Sequence, residues 1–129
     1  MSAQQNALRR SAVAMLKVLG GGEAVLRTAS PIEGSGDPAL GLAQYEISEV
    51  RLSPALLRDV DTDFELLVAE LTLEETFGRD REVIRQVLKD SLGVRWGNRS
   101  FAIESVEWDQ FAGCEYLCRL KVRENDAGR

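Results

Sequence analysis

Residues 94–124 read VRWGNRSFAIESVEWDQFAGCEYLCRLKVRE, and this stretch decides the fold. Trp96-Gly97-Asn98-Arg99 is a tight turn, because a Gly-Asn pair between β-prone flanks is a strong hairpin signal. Arg99 to Trp108 is an extended run. Gln110-Phe111-Ala112-Gly113 is a second turn, and Cys114 to Arg123 a second extended run. From Cys114 the alternation is strict. Cys114, Tyr116, Cys118, Leu120 and Val122 point one way. Glu115, Arg119, Lys121 and Arg123 point the other, with Leu117 the one apolar member of that set. This pattern describes a half-buried antiparallel strand. In the preceding run, Phe101 and Ile103 share one phase and Val106 and Trp108 the other. The break at Glu104-Ser105 predicts a bulge, which bends a sheet.

Working outward from this meander, Arg79 to Leu92 is a helix. Val83, Ile84, Val87, Leu88 and Leu92 form its apolar stripe, Asp80 caps it and Gly93 ends it. Phe64 to Leu73 is the longest apolar run and reads as a central strand, with a capping-box turn at Thr72-Leu73-Glu74-Glu75. Asp59 to Asp63 is an acidic link. Ser53-Pro54-Ala55-Leu56-Leu57 reads as a helical turn with Ser53 as cap and Pro54 at the first position. Gln44 to Leu52 reads as a strand whose phase slips at Ser48-Glu49. Ser30 to Ala43 holds five Pro and Gly residues and is a long loop. Glu23 to Ala29 is a short strand. Asn6 to Leu19 has helical spacing, with Leu8, Ala12, Met15, Leu16 and Leu19 in register and Asn6 as cap. Gly20-Gly21-Gly22 reads as a hinge. The helix either covers one end of the sheet or docks on a neighbouring subunit. The expected architecture is α+β, mainly β, in one domain over residues 1–129. A small, strongly bent antiparallel sheet or β-barrel spans 44–124, with an N-terminal helix and one packed helix.

Bulk properties narrow the function. The chain has 129 residues and a formal charge of −5, with 13 Arg against 3 Lys. An acidic balance argues against a dedicated nucleic-acid binder. The absence of histidine removes Ser-His and Cys-His catalysis. Two cysteines fall short of a Cys-only zinc site. Cys114 and Cys118, four apart on one strand, are roughly 13 Å apart and cannot form a disulfide. They read as reduced core thiols, which suits a cytosolic origin. The longest apolar-leaning stretch, Ala12 to Leu19, is too short to span a membrane, and its flank has no signal-peptide layout.

The motifs that remain point away from catalysis. Asp59, Asp61, Asp63 and Glu70 match four positions of an EF-hand loop. Phe64 stands where the sharp turn needs glycine, so a solvated acidic turn is the better reading. Gly20-Gly21-Gly22 precedes a strand, the reverse of a phosphate-cradling loop. Carboxylate pairs such as Glu74-Glu75 are expected by chance in a chain with 21 acids. Arg119, Lys121 and Arg123 form a basic stripe, read as cross-strand partners of acids such as Glu104 and Glu107. No enzyme and no cofactor is expected.

The layout resembles the small head–tail joining proteins of tailed bacteriophages, the neck proteins called head-completion, adaptor or stopper proteins. Glu65-Leu66-Leu67-Val68-Ala69, a helix ending at Gly93, the hairpin from Val94 to Val106 and the closing strand Glu115 to Arg123 carry the resemblance. It covers roughly residues 44 to 124. It implies a virion protein without an active site, assembled in the host cytoplasm as a ring below the portal. Its partners would be itself, the portal or adaptor, and the tail or tail-terminator, with DNA enclosed but not read by sequence and no membrane involved. Leu8, Arg9, Met15, Ile32, Leu40 and Leu42 are then interface candidates, and Asp59, Asp61 and Asp63 channel-lining candidates. Two alternatives stay open: a tail-terminator or other tail-tube component, and a free-standing OB-like binding module.

Overall fold

The structure is a computed structural model that describes residues 2–32, 36, 44–61 and 63–125. Among the described residues the order is α1 (Ala3–Val18), β1 (Gly22–Pro31), β2 (Tyr45–Val60), β3 (Asp63–Ala69), α2 (Glu70–Phe77), α3 (Arg81–Asp90), β4 (Gly93–Trp96), β5 (Arg99–Phe111) and β6 (Cys114–Glu124). The strands close into an antiparallel barrel in the order β1-β2-β3-β6-β5-β4. Closure removes the sheet edges that an open sheet would leave to be covered. The expected α+β, mainly β barrel with an N-terminal helix is what the chain forms.

Both predicted hairpins are present, each with a two-residue turn. Trp96 pairs Arg99 across Gly97-Asn98, with Gly97 at φ +62°. Phe111 pairs Cys114 across Ala112-Gly113, whose φ values of +51° and +77° give the twist that a two-residue hairpin needs. The bulge expected at Glu104-Ser105 is there: the register shifts between Ile103 and Ser105.

A second shift, between Asp109 and Gln110, leaves Tyr116 unpaired on β6 and breaks the alternation expected to run unbroken from Cys114. Beyond it Cys118, Leu120 and Val122 face the barrel interior with Leu66, Val68 and Phe101. Before it, Tyr116 turns outward to join Leu117 under α1.

Two other expectations on β2 are corrected. Ser53 to Leu57 is not a helical turn but the middle of a 16-residue strand. Gly22 pairs Ala55 and Ala24 pairs Leu52, so Ser53 and Pro54 sit in a bulge opposite Glu23. Proline is tolerated at a bulge because no ladder bond is asked of its nitrogen. Ser48-Glu49 carries no slip, since pairing runs unbroken from Pro31–Tyr45 to Ala24–Leu52. Tyr45 and Ile47 are simply apolar residues on an exposed face.

The expected central strand stops at Ala69, and Glu70 to Phe77 is helix. Leu73 belongs to α2 and is fully buried with Ile84 and Leu88 of α3 in the barrel core. The two helices thus cover one mouth of the barrel. Asp80 caps α3 as expected, accepting from the backbone N–H groups of Glu82 and Val83. The helix ends at Asp90, and Gly93 instead begins β4 at φ +113°, where a Cβ would collide with the Phe101 carbonyl. Phe64 and Phe101 meet edge to face with centroids 5.4 Å apart. The Arg99 guanidinium lies over both rings and pairs with Glu124 at 2.9 Å.

Helix α1 starts at Ala3 rather than Asn6. Ser2 caps it, and Gln5 completes a reciprocal capping box. Its buried side is Arg9, Ala12 and Leu16, so Ala12 and Leu16 of the expected stripe are buried while Leu8 is half-buried and Met15 and Leu19 are exposed. Ala12 and Leu16 pack on Leu67, Ala69 and Leu117 of the barrel's outer wall, with Leu56 and Tyr116 beside them. Gly20 and Gly21 close the helix by donating to Lys17 and Leu16 carbonyls, and Gly22 is already strand. A Cβ on Gly21 would lie 2.5 Å from the Leu16 oxygen, so the glycine there permits a tight seam between helix and wall.

Candidate functional site: a buried ionic cluster and an exposed arm

Charged side chains collect where α1, α2 and α3 meet beside the β6 bulge. Glu70 is fully buried at the start of α2, and Arg9 is 6% exposed. A carboxylate in such a place must be paired. Arg9 Nε donates to Glu70 Oε2 at 2.5 Å, and Arg9 also pairs with Glu74. Arg81 Nη1 lies 2.6 Å from Glu70 Oε1, and its Nε lies 3.2 Å from Glu115. Arg79 reaches Glu74 at 3.2 Å from the solvent side. The Arg81 guanidinium also stacks over Trp108 at 4.7 Å. These contacts tie helix α1 to α2, α3 and β6 through charge, on the side where apolar contact is thin.

The cluster perturbs its own protonation. Burial pushes the Glu70 carboxyl up, but hydrogen bonds from Arg9 and Arg81 outweigh it and hold it below the ordinary value. Glu74 goes the other way, raised by burial and by the adjacent Glu70 charge. For Arg9 and Arg81 burial opposes the charge, and the bond to Glu70 more than offsets it. Every charge in the cluster faces an opposite one. Such an arrangement fastens elements together, and Arg9, Glu74, Arg79 and Arg81 also line an open cleft beside Asn6.

The interface candidates separate in space. Arg9 is not a surface contact but the centre of this internal network. Leu8 is half-buried, while Met15 is 41% and Ile32 42% exposed. Leu40 and Leu42, with most of the loop 30–43, lie outside the described residues. Asp59, Asp61 and Asp63 share the turn of the β2–β3 hairpin, with Asp61 at φ +56°. All three are exposed, and Asp63 lies 3.8 Å from Lys121. Two antiparallel strands flank this turn, so it lacks the loop–helix geometry of an EF-hand. The basic stripe is committed to cross-strand partners: Arg119 to Asp109 and Glu107, Lys121 to Asp63, and Arg123 to Glu104.

Both cysteines are free thiols. Cys118 lies in the barrel core, where burial pushes its pKa up to about 12. Cys114 lies under α1, its Sγ 3.9 Å from the Gln5 carbonyl oxygen.

A second exposed feature is an arm. Strand β4 pairs β1 only over Ala24 to Arg27, and β3 pairs β2 only from Ala55 onward. Beyond those limits Thr28–Pro31 and Tyr45–Ser48 pair only with each other among the described residues. A two-stranded ribbon therefore leaves the barrel, with its root leaning on Phe77 and Val87. Its outer face carries Ala29, Tyr45 and Ile47, the last two 52% and 53% exposed.

No protein-family model matches the sequence, and comparisons with curated proteins and with solved structures find no match.

Proposed function

We propose that this chain is a structural virion protein that joins a phage head to its tail, as one copy in a neck ring around the DNA channel. The observation that carries the reading is the combination of a sealed barrel with an outward arm and an α1 whose C-terminal end is uncovered. The barrel interior is filled by apolar side chains such as Leu26, Leu52, Leu66 and Phe101. The buried charges are engaged with one another. What the fold offers to other molecules is therefore on its outside, in segments that reach beyond the barrel.

The proposed partners are further copies of the chain, the portal or adaptor above and the tail or tail-terminator below. DNA passes through the ring without being read. The ion-paired stripe supports this, since Arg119, Lys121 and Arg123 already face carboxylates. Asp59 and Asp61 at an exposed turn suit a lumen that repels phosphate.

Disruption of the gene in a phage that carries it tests the reading. DNA-filled heads without tails, beside separate finished tails, are expected. Normal virions would overturn it, and tails of irregular length would point instead to a tail-terminator.

A further inference from the structure

The ionic cluster opens on solvent. Asn6, Arg9, Glu74, Arg79 and Arg81 line a cleft of about 510 Å³, a size that suits a small molecule. A smaller hollow beside Gln5 and Glu115 shares Arg81 with it. Three guanidinium groups thus bound the cleft against one carboxylate. They come from three segments: Arg9 from α1, Arg79 from the link between α2 and α3, and Arg81 from the first residue of α3. The first turn of α1 carries no acid, so no side-chain charge offsets the positive end of its dipole there.

Two of the three arginines are held in place from behind. Glu70 is fully buried and does not line the cleft; it takes Arg9 on one oxygen at 2.5 Å and Arg81 on the other at 2.6 Å. A guanidinium already fixed in orientation loses little freedom on meeting a ligand. Glu74 stands one turn along the same helix face from Glu70. Its side chain is 16% exposed, and it pairs with Arg9 and with Arg79, whose side chain is 92% exposed. Arg9, Arg79 and Arg81 balance Glu70, Glu74 and Glu115 charge for charge. With the Glu74 carboxylate neutral or turned aside, one positive charge in the cleft is unmatched.

We infer that the cleft binds a small tetrahedral oxyanion, a phosphate or sulfate group, which takes the place of the Glu74 carboxylate between Arg9, Arg79 and Arg81. Donors arriving from three segments suit an anion with oxygens in several planes better than a planar carboxylate, which a single guanidinium fork satisfies. Binding is linked to a proton. Glu74 is faced by Arg9 of α1, by Glu70 of its own helix and by Arg79; Arg81 of α3, on the other Glu70 oxygen, in turn holds Glu115 of β6. Burial and the Glu70 charge raise the Glu74 carboxyl, so it gives up its charge more readily than an ordinary glutamate. An anion seated beside it favours protonation further. Anion affinity therefore rises as pH falls from about 7.5 toward about 5.5.

The site is complete in one copy, so its test does not depend on the head–tail reading. Isothermal titration calorimetry of the full chain with sodium sulfate, against sodium chloride at matched ionic strength, reads it. Sulfate keeps its charge over this pH range, so any pH dependence belongs to the protein. Saturable binding at one site per chain is expected with sulfate and not with chloride, tighter at the lower pH, and inorganic phosphate should compete for it. Glu74→Gln should tighten binding about tenfold at neutral pH and remove its pH dependence, because the competing charge is gone. Arg79→Gln, at an exposed position, should keep the fold by circular dichroism and weaken binding about fivefold. Absence of saturable sulfate binding, an Arg79→Gln affinity equal to the parent's, or a folded Glu74→Gln protein that binds more weakly than the parent would overturn the inference. Should Glu74→Gln fail to fold, the Arg79→Gln affinity and the parent's pH dependence decide.

Discussion

Replacing Glu70 by Gln tests the ionic cluster. The side chain keeps its shape and loses its charge. Arg9 and Arg81, held 2.5 and 2.6 Å from the two carboxylate oxygens, then face each other across a neutral group in a closed site. Breaking a buried pair by removing one partner costs about 3–5 kcal/mol. The lower end applies here, because Glu74 and Glu115 remain as anions nearby, with side chains 16% and 30% exposed. With a melting entropy of roughly 2.1 cal/mol/K per residue, a loss of about 3 kcal/mol lowers the Tm by roughly 11 °C. Thermal and urea denaturation followed by far-ultraviolet circular dichroism reads both quantities. A double variant, Arg9→Met with Glu70→Leu, removes charge from both sides and should be less damaged than Glu70→Gln alone. A Glu70→Gln protein within about 0.5 kcal/mol of the parent, or a double variant worse than the single, would refute the reasoning.

Three further outcomes follow from the same structure. Glu70, held below its ordinary value, stabilises the fold above that value, and this stability is lost as pH falls through its depressed folded value. Glu74, raised, favours the fold in its protonated form, so mild acidification first relieves its repulsion with Glu70. The Tm should therefore hold or rise slightly from pH 7 toward about 5 and fall steeply below about 4, and Glu70→Gln should flatten that acid fall. Gly93→Ala should destabilise by about 2–4 kcal/mol in urea titrations, because the position combines positive φ with a collision at the Phe101 carbonyl. Cys118, with its pKa at about 12 and no exposure, should react with a thiol reagent at pH 8 only as fast as the protein unfolds; a burst of labelling in the native state would contradict its placement.

The hairpins were legible because their causes are local. Gly97-Asn98 and Ala112-Gly113 sit between alternating runs, and the phase break at Glu104 marks its own bulge. Pro54 misled for the same reason. Ser-Pro-Ala-Leu-Leu carries a helix start, and the bulge opposite Glu23 that makes room for the proline is set by β1, some thirty residues upstream. Leu117 looked like an exception on a polar face until α1 came to lie on it. The ionic cluster was the least visible feature, since Arg9 and Glu70 are 61 residues apart in sequence. Its one local sign is Glu70 itself, an acid deep in the apolar run Phe64–Leu73 that demands a cation from elsewhere in the chain. The arm was hidden because no residue in Glu23–Ala29 or Gln44–Leu52 signals where β4 and β3 stop pairing.

The head–tail role is tested most directly by electron cryomicroscopy of the vertex of a virion that carries this chain. Density for a ring of six-stranded barrels around the channel is expected between portal and tail. A neck complete without this chain, or the barrel found as a lone monomer elsewhere in the particle, would contradict it.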